Sequence, residues 1–363
     1  TVPPVTTVPP VTTAPPVTTA PGGGASASTG ARWQFVAPTL VYDSNGRRLT
    51  PGSAVTVPVG SIQGVPPTSG LMLRVMARNV AAVGHLSVHT CDGGPNGTST
   101  LLVTPGQVNA TMTLVRVTNA AICVTSSVAL DLRLFVAGYQ APTGAGVVPI
   151  TARRAFDSRV SGAKVAARSN RFIRPSSLGT PLGSSAVTVT VAVVGAEGPG
   201  ALGIGPCGGT PWIVNVAAGA TQVFSGIIRT NDAGVCITPT VPMHVVIDVT
   251  AVWRTSGGDL GALAPSRVFD SRPGGVDTAA VTVPSGAPAG ATRAQYIVTV
   301  VGGATGGSLF VWNCSATRPT ASVAHAAPGH RTATTVTIDV AGGTLCVATS
   351  ARVQVVIDLV ASG

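Results

Sequence analysis

The chain has 363 residues, enough for two or three domains, and 45% of them are apolar, so cores of ordinary size are expected. Only 9% are charged and 4% aromatic, and the net charge of +10 is carried almost wholly by arginine, Lys164 being the only lysine and Glu197 the only glutamate. That composition excludes exposed helices stabilised by Glu–Lys pairs, lacks the aromatic-and-basic interleaving of a nucleic-acid platform, and offers no clean run of about 20 apolar residues to span a membrane.

Residues 1–24 read as a tail. They open on V-P-P-V-T-T, V-P-P-V-T-T and A-P-P-V-T-T. In polyproline II, with three residues per turn, Val2, Val5, Val8, Val11 and Val17 line one edge of the rod. Two readings stay open. The stripe docks in a groove of another subunit, or the segment is a solvated stalk O-glycosylated at Thr6, Thr7, Thr12, Thr13, Thr18 and Thr19. No leader peptide is visible at Thr1, so a mature or truncated chain is expected.

Behind the tail the sequence repeats itself three times. The cysteines fall as Cys91/Cys123, Cys207/Cys236 and Cys314/Cys346. Leu86/Val88, Leu202/Ile204 and Leu309/Val311 precede the first cysteine of each pair at fixed offsets, and Gly106, Gly219 and Gly329 precede the second. Each copy opens on a related tetrapeptide, at Tyr42–Asn45, Phe156–Arg159 and Phe269–Arg272. Val and Thr dominate, Gly and Pro punctuate, and alternation such as Val187, Val189, Val191 and Val193 marks strands with one buried face. The expectation is all-β: three tandem β-sandwich domains, jelly-roll or immunoglobulin-like, at 25–143, 144–256 and 257–363. One cysteine pair per copy predicts one intradomain disulfide each and an oxidising compartment. Metal sites need closely spaced ligand pairs, which are missing, and no cofactor is expected.

The copies differ in an informative way. Twelve residues after the second cysteine stand Asp248 and Asp358, but Phe135 in copy one. Copy one also has Asn45 for Arg159 and Arg272, and Leu40 for Arg154 and Arg267. Joint loss is what a paired network would show, because a buried Asp without its cation is costly. A structural network of Arg154, Asp157, Arg159 and Asp248, repeated as Arg267, Asp270, Arg272 and Asp358, is therefore predicted. A catalytic or binding cluster of Asp157, Arg159 and Asp248 is the less favoured reading.

The R-x-F-D-S-R opening, Cys207-Gly208-Gly209 and the closing V-V-I-D-V strand resemble a repeat of secreted proteins from high-GC Gram-positive bacteria. Similar units there often carry R-x-L-D-T-R and occur in arrays on cell-surface proteins or beside wall-active enzymes. The resemblance implies an exported surface module and no particular ligand.

Catalytic chemistry is hard to find. The histidines do not recur at equivalent positions; His85 and His89 share a strand alternation and read as a solvent-facing pair. Neither G-x-S-x-G nor H-E-x-x-H occurs. Arg153, Lys164, Arg168, Arg171 and Arg174, with Arg154 and Arg159, make the best candidate for an anionic contact. Asn96, Asn109 and Asn313 begin glycosylation triplets. The reading is a non-enzymatic subunit of an extracellular filament or cell-surface appendage, self-associating through sandwich faces and the tail. The alternative is a cell-wall or glycan-binding array on a glycosylated stalk.

Overall fold

The computed structural model describes residues 30–219, 221–272 and 274–363. The proposed tail stripe and its threonines lie outside them. Copy one contains β1 (Arg32–Asp43), β2 (Ala54–Pro58), β3 (Gly70–Arg78), β4 (Gly84–His89), β5 (Leu101–Val103), β6 (Asn109–Arg116), β7 (Ala121–Ser126) and β8 (Asp131–Ala141). Copy two contains β9 (Gly146–Asp157), β10 (Arg171–Ile173), β11 (Ser184–Val194), β12 (Gly200–Pro206), β13 (Trp212–Val216), β14 (Gln222–Arg229), β15 (Val235–Pro239) and β16 (His244–Arg254), with one helical turn at Pro175–Leu178. Copy three contains β17 (Gly261–Asp270), β18 (Val281–Pro284), β19 (Arg293–Val301), β20 (Gly307–Asn313), β21 (Ala324–Ala326), β22 (Arg331–Asp339), β23 (Thr344–Thr349) and β24 (Gln354–Ser362).

These strands form six antiparallel four-stranded sheets, two per copy in the same order: β1-β8-β3-β6 with β2-β7-β4-β5, then β9-β16-β11-β14 with β10-β15-β12-β13, then β17-β24-β19-β22 with β18-β23-β20-β21. Between the two sheets of each copy lies a Val/Leu/Ile core, around Leu73 and Leu86, Val189 and Leu202, and Val298 and Leu309 respectively. Gly106, Gly219 and Gly329 all take positive φ, +74°, +68° and +68°, a turn conformation that a residue with a Cβ resists. Those turns precede β6, β14 and β22.

The expectation of three tandem sandwiches needs correction. The six sheets close into a ring, a six-bladed propeller-like arrangement, because the second face of each first sheet is also buried. In copy two, Thr188 and Thr190 are buried like the valines between them. Thr188 Oγ1 accepts from Trp253 Nε1 at 2.9 Å, and Thr190 Oγ1 donates to Val323 O of copy three at 3.2 Å. Arg74 of copy one donates to Ile213 O of copy two, and Arg267 of copy three donates to Gly97 O of copy one at 2.6 Å. Each copy therefore grips the next, and the third returns to the first. The uncharged sandwich faces expected to join subunits are already buried within one chain.

Two sets of contacts close the middle. β6, β14 and β22 meet where Ser225 Oγ accepts from Thr335 N at 2.6 Å and contacts Thr111 Oγ1 at 3.4 Å, while Thr335 Oγ1 donates to Met112 O at 2.7 Å. The starts of the three copies are also linked in a cycle. Trp33 pairs with Ala145, Val147 pairs with Gly258, and Leu260 N donates back to Ala31 O at 2.9 Å. Trp33, Trp253, Met72, Met112 and Leu260 fill a shared central core.

Candidate functional site

Cys91–Cys123, Cys207–Cys236 and Cys314–Cys346 are disulfide-bonded. Each closes a loop of about 30 residues, which stabilises the fold by about 3–4 kcal/mol on the loop-entropy account. Three such bonds belong to an oxidising, non-cytosolic compartment.

Most of the ion pairs lie within a copy, and the Arg–Asp set recurs in copies two and three. Asp248 stands opposite Arg154 across β16 and β9, Asp358 opposite Arg267 across β24 and β17, and Phe135 opposite Leu40 across β8 and β1. Arg154 donates to both carboxylate oxygens of Asp248, Nε to Oδ1 at 2.9 Å and Nη2 to Oδ2 at 3.1 Å, and its Nη1 reaches Asp157 Oδ2 at 2.9 Å. Arg267 holds Asp358 and Asp270 in the same manner, at 2.5 Å and 3.0 Å. Arg159 and Arg272 turn back on Asp157 and Asp270, at 2.7 Å and 2.5 Å. Asp358 also accepts from Ser99 N of copy one at 3.3 Å, so this pair joins two copies.

Burial pushes the Asp248 and Asp358 carboxyls above their ordinary value, and the arginines pull them back. Asp157 lies nearer the surface, and bonds from Arg159 hold its carboxyl at about 2. Its contribution to stability is present above the unfolded value of 3.8 and is lost as pH falls through about 2. The partners are 40% and 47% exposed, so solvent keeps that contribution small.

Copy one replaces this chemistry with a group the sequence pattern did not reveal. Arg74 of β3 is 7% exposed, and its guanidinium carbon lies 5.5 Å from the Phe135 ring and 5.7 Å from the Trp212 ring of copy two. Burial lowers its pKa to about 10. The one signal available was negative: Phe135 at an aspartate position says that this junction is held differently.

The arginine-rich stretch of copy two is largely engaged within the molecule. Arg153 Nη2 donates to Ser176 O and Ser177 O at 3.0 and 2.8 Å, Lys164 pairs with Glu197 at 3.1 Å, and Arg171 lies 5.7 Å from the Phe156 ring. Arg168 and Arg174 are exposed. His89 is not part of a solvent-facing pair: it is buried, with Nδ1 2.8 Å from Thr90 O and Nε2 3.0 Å from Thr125 Oγ1. His85 alone is exposed. Asn313 is buried as well, and its Nδ2 donates to Ala341 O at 2.8 Å, so its triplet is closed to a glycan.

No protein-family model matches the chain, and no curated protein does. Among solved structures it is similar to the PBSX exported protein XepA, at 13% identity over 58% of this chain and 86% of that one, with a TM-score of 0.19. It is also similar to a structure described as the triple jelly roll fold and turret assembly in an archaeal virus (12% identity, 92% and 89% covered, TM-score 0.19). A third is the atomic structure of Sulfolobus Turreted Icosahedral Virus (10% identity, 91% and 90% covered, TM-score 0.17). At such TM-scores these likenesses carry no argument about fold or function.

Proposed function

We propose that the chain is a secreted structural protein that acts by shape and contact: a subunit of an extracellular filament or cell-surface appendage built from three copies of one stapled unit. The observation that carries this reading is where the buried charges go. Among the described residues the buried Asp, Glu, Lys and Arg side chains are Arg74, Asp131, Asp248 and Asp358. Arg74 and Asp358 bond across junctions between copies, Asp248 is held by Arg154 within copy two, and Asp131 accepts from Asn79 Nδ2 at 2.6 Å within copy one. Chemistry that a catalyst would hold in a cleft is used here to hold a scaffold. The resemblance to exported repeats of high-GC Gram-positive bacteria supports a place on the cell surface.

With the sandwich faces consumed by the ring, subunit contacts fall to the perimeter and the tail. Leu40 on β1, Phe172 on β10 and Val281 on β18 are exposed on outermost strands. β2 and β18 are short and end at Pro58 and Pro284, which discourages strand addition at those edges. That leaves side-chain contacts and the aliphatic stripe of residues 1–24 as the joining elements. Sedimentation and electron microscopy of the full chain should show oligomers or polymers, and deleting residues 1–24 should leave single particles. A full chain that stays monomeric at every concentration, or one that assembles equally well without its tail, contradicts the proposal.

A further inference from the structure

Between copies two and three lies a cavity of about 170 Å³, walled by β9 and β16 on one side and by β20 and β22 on the other. Thr250 lines it, is 2% exposed, and has no hydrogen-bond partner for its Oγ1. Leaving a buried hydroxyl unpaired costs about 1–3 kcal/mol. Thr250 is the bulge residue skipped in the register between Val249 and Ala251. The same bulge in copies one and three carries Ala137 and Val360, so the backbone does not require a hydroxyl there.

Two further positions set this junction apart. Trp312, two residues before Cys314, lines the cavity where the other copies have Gly205 and His89. Asp339, at the end of β22, stands where the register puts Arg229 and Arg116. Its Oδ1 accepts from Ala341 N at 2.8 Å and from Asn313 Nδ2 at 3.2 Å. Asn313 is fixed in turn by Ser315, whose N and Oγ donate to Asn313 Oδ1 at 3.0 and 2.9 Å. The carboxylate is thus oriented by a bonded amide, with Oδ2 left to accept from a ligand. The corresponding space between copies one and two is only about 30 Å³, lined by Phe35, Met112 and Ala137.

We propose that the junction cavity between copies two and three binds one residue of a neutral saccharide. Trp312 and the neighbouring aliphatic wall take the C–H face of the ring, Asp339 accepts from its hydroxyls, and Thr250 gains its missing partner. A carboxylate-bearing sugar is disfavoured by the charge of Asp339. A metal ion does not fit, since Asp339 is the only carboxylate in the lining and the described residues hold no group of three metal-ligating side chains.

The test is titration of the full chain with glucose, galactose, N-acetylglucosamine and glucuronate, followed by tryptophan fluorescence and saturation-transfer NMR. Saturable binding of at least one neutral sugar is expected, with glucuronate weaker. Asp339→Asn and Thr250→Val should each weaken that binding by about tenfold, the size of one lost hydrogen bond. Thr250→Val, which copies the bulge of the third repeat, should also hold or raise the melting temperature and so report on folding independently of binding. No saturable response to any neutral sugar, binding untouched by both variants, or equal binding of glucuronate would each overturn the proposal.

Discussion

Replacing Arg267 with methionine should destabilise the protein by about 3–5 kcal/mol at neutral pH, because it strands the Asp358 carboxylate without its cation. Asp358 is 0% exposed, and its remaining partner is the Ser99 amide of copy one. Burial already raises its pKa, and losing Arg267 raises it further. A carboxyl with a raised folded value contributes stability below its unfolded pKa and loses it as pH rises through the folded one. The deficit of Arg267→Met should therefore be largest at pH 7 and shrink toward pH 4, which urea unfolding at the two pH values can measure. The double change Arg267→Leu/Asp358→Phe, which copies the Leu40/Phe135 pair of copy one, should recover much of the loss. An equal deficit at both pH values would rule out the stranded charge as the cause. Arg74→Met supplies the contrast. Arg74 has no carboxylate to strand, so this change should cost only about 1 kcal/mol, for the carbonyl of Ile213 left unpaired.

Trp33→Ala should cost about 3–5 kcal/mol, the usual range for deleting a fully buried indole. Trp33 is 0% exposed, and its Nε1 donates to Leu260 O at 2.8 Å. Its backbone pairs with Ala145 at 2.9 Å in both directions. One residue near the start of copy one thus bonds to the starts of both other copies, through its indole to copy three and through its backbone to copy two. The central core it shares with Trp253 and Met112 belongs to no single copy, so calorimetry should show one transition that moves down as a whole. Three separable transitions, or a loss below about 1 kcal/mol, would mean that the copies are energetically independent.

Much of this was legible in the residues. The cysteine spacing marked three pairs, and the loss of both arginines and the aspartate from copy one pointed to a network of Arg154, Asp157, Arg159 and Asp248, without saying which arginine meets the aspartate. The ring was not legible, and threonine is the reason. In β11, Thr188 and Thr190 alternate with valines as solvent-facing residues would, yet both are buried. A threonine can enter a junction once its hydroxyl finds a partner, and it does so here with Trp253 and Val323. Period-two patterning separates apolar from polar and cannot separate exposed threonine from bonded, buried threonine. Arg74 escaped for a similar reason: an isolated arginine in a strand reads as surface until the partner sheet is known. Thr250 gave no sequence signal at all, since a bulge residue falls outside the alternation on either side of it.

Small-angle X-ray scattering on a chain beginning at residue 30 tests ring closure most directly. A closed ring of this length should behave as one compact particle with a radius of gyration of about 20 Å, and Asp358→Ala should leave that value unchanged while lowering stability. Three units strung end to end, giving a rod-like profile and a clearly larger radius, would contradict the closed arrangement on which the structural reading rests.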